Sequence, residues 1–278
     1  MSKQTEQLAR AAAIGVAAGA MDTAAVTLWL HRSKTHGAYK LNPKLEMAAR
    51  VIVWGSGTNP REWAQIHRRH HDFADTSDDP HSPVQEGKWG VEKLWAKNTP
   101  KYGKEAKRVT AQQDFPPDLQ PDKLDKALFN NKRLGLAASL AGHVILNKVA
   151  GNPGYMGAVS FAAEKAFYVM GGNFVNSIGH SGAKPAEALV TGNITPHEDG
   201  SYGADSAWVA AMTLGEGRQK AHHDHPESVF FGPLDECDTL PKRLLQDMGG
   251  TAALALIEGG YATFGDGPPA SEQPSQAA

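Results

Sequence analysis

The chain holds 278 residues, with 28 basic and 30 acidic side chains, 12 histidines and one cysteine. At roughly 100–200 residues per domain this is one large domain or two small ones, and a formal net charge of −2 lacks the basic excess of a dedicated nucleic-acid binder. A lone Cys237 excludes an internal disulfide framework and a cysteine-rich zinc or iron–sulfur site, and a mean hydropathy of −0.42 is unlike a typical multispanning membrane protein.

In chain order, the first predicted element is an apolar helix over Leu8–Leu30, interrupted by Asp22. As helix it is about 35 Å long, enough to cross a bilayer core. A secretory signal could open the same way, with Lys3 and Arg10 ahead of Ala11–Met21 and the small residues Ala18-Gly19-Ala20. The apolar character resumes after Asp22, however, which predicts an uncleaved helix. Residues 45–54 carry Glu46 and Arg50 and read as a short interfacial or core helix. Residues 72–131 are polar and broken by Pro80, Pro83, Pro100, Pro116, Pro117 and Pro121, a pattern of loops and short surface helices. Within them, residues 88–108 interleave lysines with Trp89, Trp95 and Tyr102. This is either a surface for lipid headgroups or acidic partners, or a solvated helix face.

Two mostly apolar segments, Leu134–Val149 and Tyr155–Val175, flank the turn signal Gly151-Asn152-Pro153-Gly154 and predict a helical hairpin. Glu164 and Lys165 inside the second arm would be costly in lipid, so hydropathy alone leaves a membrane hairpin and a buried soluble hairpin both open. Gly249–Tyr261 is a further helix candidate, and 266–278 has the composition of a disordered tail. The fold class is mainly α.

Histidine placement carries the chemistry. His31 and His36 bracket HRSKTH, His67, His70 and His71 lie in HRRHH, His180 closes NSIGH, and His222 and His223 follow GEGRQKA. In HRRHH the imidazoles stand at i, i+3 and i+4, on one helix face. Asn176 and His180 are likewise i, i+4. His31 and His36 are i, i+5, roughly 140° apart on an ideal helix, and can converge only where the helix ends or distorts. Neutral imidazole suits iron, copper, zinc and nickel. With one crossing before the first group and two between the second and third, all four groups fall on one side of a membrane.

The order H-x4-H, H-x-x-H-H, N-x-x-x-H and G-E-G followed by a histidine box, in the contexts LWLHRSKTH and REWAQIHRRHHDFADTSDDPHSP, resembles the integral-membrane fatty-acid desaturases. The resemblance runs from about Asp22 to about Pro226. It implies a membrane-associated helical bundle over 1–265, with membrane helices near 8–30, 134–149 and 155–175, and a cytoplasmic cap carrying the histidine boxes. It further implies a non-haem diiron site on the cytoplasmic face of a multi-pass membrane protein, with O2 as co-substrate. His31, His36, His67, His70, His71, His180, His222 and His223 would be ligands, and Asn176 would hold a metal through water. Gln219 stands where the third box should begin with histidine. Its carbonyl is a poorer donor than imidazole, which leaves one iron short of a strong ligand unless His225 or Glu216 supplies one. Asp72, Asp75 and Glu216 are candidates to orient ligands.

The expected partners are a fatty acyl substrate, as a CoA, carrier-protein or phospholipid ester, the membrane, and a separate electron donor. The chain has no Cys cluster, G-x-G-x-x-G or haem-domain motif of its own, and no nucleic acid is expected. A desaturase is the leading expectation. The alternatives are a hydroxylase or oxygenase on the same scaffold, a catalytically impaired metal-binding relative because of Gln219, and a soluble histidine-rich binding protein.

Overall fold

The computed structural model describes residues 2–112 and 115–265, so the expected disordered tail over 266–278 lies outside the described residues. Helix α1, Lys3–Ala25, begins where the Ser2 hydroxyl accepts from the Thr5 backbone N–H. It continues without a break into a π-helical segment, Val26–Thr35. The apolar element is therefore one helix of 33 residues, Lys3–Thr35. Among the described residues it is the single helix long and apolar enough to cross a membrane by length and composition.

The expected hairpin forms as α5, Lys132–Val149, and α6, Met156–Ile178. Helix α6 packs along α1 at close range: a Cβ on Gly15 would fall 2.2 Å from the Ser160 carbonyl oxygen, so the contact requires glycine. Arg10 Nη1 donates to the Ala150 carbonyl at 2.5 Å, and Asn152 Nδ2 to the Gln7 carbonyl at 3.3 Å. These bonds seat the hairpin turn beside the first half of α1. Helices α1 and α6 therefore run the same way, and His31 and His180 leave the bundle at the same end.

The side chains of this three-helix group are arranged inside out relative to a water-soluble bundle. Asp22, His143, Asn147, Ser160 and Glu164 are buried, whereas Leu8, Val16, Met21, Ile145 and Leu146 are exposed. Glu164 is satisfied by His143 Nε2 at 2.5 Å, Lys165 Nζ at 2.6 Å and Ser139 Oγ at 3.0 Å. His143 is thus tied into the hairpin, away from the other histidines.

Helices α2, Pro43–Ser56, and α3, Pro60–Asp72, start alike: an asparagine side chain (Asn42, Asn59) caps the first backbone N–H groups, and a proline takes the first helical position. The α2 face Ala49 and Val53 packs on Trp29 and Leu30 of the π-helical segment.

The region expected to be loops and short helices instead holds a 23-residue helix, α4, Gly90–Gln112, which contains Pro100. Val91, Leu94, Asn98, Ala106 and Val109 are buried at helical spacing. Burial of that face against α3 and α6 outweighs the cost of the proline, which removes one ladder bond. Several of its lysines are committed: Lys97 and Lys101 each lie 2.6 Å from a Glu86 carboxylate oxygen, and Lys93 Nζ donates to the Glu86 carbonyl.

Short helices α7, Pro185–Thr191, α8, Ala207–Met212, α9, Gln219–Asp224, and α10, Leu240–Gln246, lead to α11, Met248–Glu258. Strands β1, Tyr39–Leu41, and β2, Ala262–Phe264, pair antiparallel with Tyr39 opposite Phe264. The pairing ties the segment after His36 to the far end of the described chain. At three residues each, the strands are too short to show alternation in the sequence.

Candidate metal centre

The π-helical segment resolves the i, i+5 spacing. Its i→i+5 bonding, including His36 N–H to the His31 carbonyl at 3.1 Å, brings His36 one turn round over His31, so both face the same way. Opposite them, α3 presents His67, His70 and His71, and α9 presents His222 and His223. The turn between α8 and α9 is built by two glycines. Gly215 has φ +103, and a Cβ there would lie 1.9 Å from Asp247 Oδ1. A Cβ on Gly217 would lie 2.2 Å from the Ala210 nitrogen. The G-E-G motif is thus a tight turn that aims Glu216 inward.

These elements gather the eight expected histidines into two adjacent groups. His31, His36, His67, His71 and His222 form one, and His70, His180 and His223 the other, with the donor nitrogens of each group within 4.8 Å of one another. In the first group, His31 Nε2 lies 2.9 Å from His67 Nε2 and 3.0 Å from His222 Nε2, and His71 Nε2 lies 2.8 Å from His222 Nε2. In the second, His70 Nε2 is 3.2 Å from His180 Nε2 and 3.3 Å from His223 Nε2. A divalent first-row ion about 2.1 Å from each nitrogen spaces neighbouring octahedral donors about 3 Å apart. Both donor sets therefore fit a metal ion.

Gln219 sits beside the three-histidine group. Its Nε2 donates to the Glu216 carbonyl at 2.7 Å, which turns Oε1 toward His180 Nε2 at 3.3 Å. An amide oxygen thus occupies the place of the absent imidazole. His225 is exposed and does not substitute for it. Asn176 lines the adjoining cavity.

The outward ring nitrogens meet carboxylates. His31 Nδ1 lies 2.5 Å from Glu216 Oε2, His70 Nδ1 is 2.9 Å from both Asp79 oxygens, and His180 Nδ1 is 3.2 Å from Asp75 Oδ2. Such contacts fix ring orientation and direct Nε2 inward. Asp75 is held in the left-handed region at φ 62, a conformation costly for a residue with a Cβ, and Ser82 Oγ donates to its carboxylate. Of the three expected orienting carboxylates, Asp75 and Glu216 reach histidines. Asp72 is exposed at the end of α3, and Asp79, four residues past Asp75, takes that role instead.

Besides Asp79, three residues escaped the sequence reading. Arg32 is fully buried, donates to Glu216 Oε1 at 2.6 Å and Asp247 Oδ1 at 2.9 Å, and stacks over Phe231 at 3.9 Å. Asp247 also accepts from the Gly250 and Phe231 backbone N–H groups. His81 stacks on His70 at 4.7 Å between ring centroids. Arg32 next to His31 was a local signal. Asp247, more than two hundred residues away, carried none.

Burial, reinforced by neighbouring imidazoles, pushes His36, His67, His70, His222 and His223 well below the ordinary histidine range and His71 down to about 3. These six rings are therefore neutral at physiological pH, the form in which imidazole binds metal. Burial also opposes charge on His180, but the Asp75 carboxylate outweighs it and raises its pKa. Burial likewise opposes the Glu216 carboxylate, while His31 and Arg32 hold it below its ordinary value.

A cavity of about 240 Å³ opens beside both groups, bounded by His31, His67, His70, Glu216 and Gln219 at its histidine end. Residues 8–235 match the family model for fatty acid desaturases. The chain is 28% identical over 213 residues to sn-1 stearoyl-lipid 9-desaturase of Synechocystis sp., covering 74% of this chain and 58% of that protein. It is 29% identical over 210 residues to the chloroplastic palmitoyl-monogalactosyldiacylglycerol delta-7 desaturase of Arabidopsis thaliana, covering 74% and 51%. It is 24% identical over 235 residues to a hex-5-enoyl-[acyl-carrier protein] acetylenase of Moorena producens, covering 77% and 66%. The chain thus spans between 51% and 66% of these relatives' lengths. With the family model covering most of the chain, and the histidine boxes gathered at one cavity, this protein belongs to the fatty acid desaturase family.

Proposed function

We propose that the chain is an oxygen-dependent desaturase that introduces a double bond into a fatty acyl chain, with two iron ions held by its histidine groups. The carrying observation is the pair of adjacent imidazole clusters, five and three, at one end of a single cavity. His31, His36, His67, His71 and His222 would hold one ion. His70, His180 and His223 would hold the other, with Gln219 Oε1 as an oxygen donor and Asn176 acting through water. When bound, iron supplied with oxygen and two electrons provides the oxidising power to remove two hydrogens from neighbouring carbons.

The protein's own residues prepare the site for this. Burial keeps His36, His67, His70, His71, His222 and His223 neutral, Glu216, Asp79 and Asp75 hold the outward nitrogens of His31, His70 and His180, and Arg32 neutralises Glu216 from behind. The cavity would seat the acyl chain against the metal-binding end. A separate protein would deliver the electrons.

The inside-out bundle of α1, α5 and α6 supports a membrane setting, since apolar side chains that face water cost free energy, whereas lipid accepts them. In this reading residues 1–265 form one desaturase-like unit with its histidines on the cytoplasmic side. The test is expression with an electron donor and oxygen, followed by mass analysis of cellular acyl chains. Loss of two hydrogens is the expected product. Gain of one oxygen would assign a hydroxylase instead, and unchanged acyl chains with a working donor would contradict catalysis.

A further inference from the structure

Most hydroxyl groups along the cavity are already committed. Thr23 and Thr213 donate to carbonyls one turn back in their own helices, at 3.0 and 2.6 Å, and Thr58 bonds the Tyr168 hydroxyl at 3.0 Å. Such threonines have methyl groups left to meet a hydrocarbon. Two cavity residues differ: Asn98 Oδ1 and the Tyr102 hydroxyl are buried and have no hydrogen-bond partner among the described residues. They stand four residues apart on α4, on one face of the helix.

The orientation of Asn98 follows from its neighbours. Asn173 Nδ2 donates to the Trp95 carbonyl at 3.2 Å, which leaves Asn173 Oδ1 to accept from Asn98 Nδ2 at 3.0 Å. Asn98 therefore presents an unpaired carbonyl oxygen. Burial, then Tyr168 and Glu62, holds the Tyr102 phenol well above its ordinary pKa, so it keeps its proton to donate. A plain hydrocarbon chain would leave both groups unpaired, which is unfavourable in a dry site. A ligand carbonyl only accepts, and satisfies Tyr102 alone. A group that both accepts and donates satisfies the pair.

We propose that the acyl ligand of this cavity carries such a group, a hydroxyl on the chain or a secondary amide, held between Asn98 and Tyr102. The inference rests on the reading of the cavity as an acyl site. It makes the α4 face a specificity determinant, because a site built to pair a polar group discriminates strongly against the analogue that lacks it.

The test is displacement of a fluorescent polyene fatty acid from the full-length protein in detergent micelles. The competitors are stearic acid, a series of monohydroxystearic acids with the hydroxyl at different carbons, and N-stearoylglycine. At least one hydroxy isomer, or the amide, is expected to bind about tenfold more tightly than stearic acid. That gain is expected to vanish in Asn98→Leu and Tyr102→Phe, while stearic acid still binds both variants and so reports their fold. Gain with a hydroxy isomer identifies the hydroxyl as the source, and gain with N-stearoylglycine identifies the amide. Stearic acid binding as well as every competitor would overturn the inference and leave the acyl reading standing, with water then pairing the two groups. No displacement by any competitor would overturn the acyl reading itself.

Discussion

At the scale of single residues, Gln219 decides how alike the two proposed metal positions are. Five imidazoles face one position, and three imidazoles with an amide oxygen face the other. Imidazole is the stronger donor toward first-row metals, so a chelator is expected to strip one ion well before the second. Gln219→Leu should weaken the looser ion by about tenfold or more, and Gln219→His should tighten it. Metal release followed against a chromogenic chelator measures both. Equal release of the two ions from Gln219→Leu would show that the amide oxygen contributes nothing. Glu216→Gln acts on the other group: with His31 Nδ1 2.5 Å from that carboxylate, affinity for the tighter ion should fall by about 10–100-fold.

At the scale of elements, the site depends on contacts between distant segments. Arg32 of the π-helical segment is buried between Glu216 and Asp247, and Asp247 in turn caps α11 through the Gly250 N–H. Asp247→Ala leaves a buried guanidinium half-paired and should cost about 3–5 kcal/mol, as a lowered denaturant midpoint. A change within about 0.5 kcal/mol would show that the pair is dispensable. The same dependence explains what could be read in advance. HRRHH and N-x-x-x-H declare their faces through spacing alone, because α-helical periodicity is local. HRSKTH gave only a condition, that the helix distort, and the π-helical bonding meets it. Helix α4 was hidden because Pro100 and its many polar residues masked an apolar face defined by Val91, Leu94, Ala106 and Val109. The Arg32–Asp247 pair, like the β1–β2 pairing, spans most of the chain, and no local pattern announces it.

At the scale of the whole molecule, packing so many neutral imidazoles together makes the metal-free protein acid-sensitive. His71 and His81 have pKa values of about 3 and about 4 when folded, against 6.5 ordinarily, because burial disfavours their charged forms. Between pH 6.5 and those values the unfolded chain binds protons that the folded chain refuses. Stability therefore falls as pH drops through this window, by about 1.4 kcal/mol per pH unit for each such proton. His180 has the opposite sign, since its raised pKa gives a contribution present below pH 6.5 and lost as pH rises through its folded value. The carboxyls of Asp79, Asp205 and Asp247, raised by burial, act in the same sense as His180, but the seven lowered imidazoles outnumber these four groups. Denaturant midpoints of metal-free protein should fall between pH 6.5 and pH 5, and a rise would contradict the burial of these rings as neutral species.

The most direct measurement is the iron content of purified protein, for wild type and for His180→Ala. Two ions per chain in the wild type, with one lost selectively in the variant, is the result expected from two separate donor sets. Wild-type protein that binds no iron when reconstituted, or iron retained undiminished after the substitution, would contradict the assignment of these histidines as a two-metal centre.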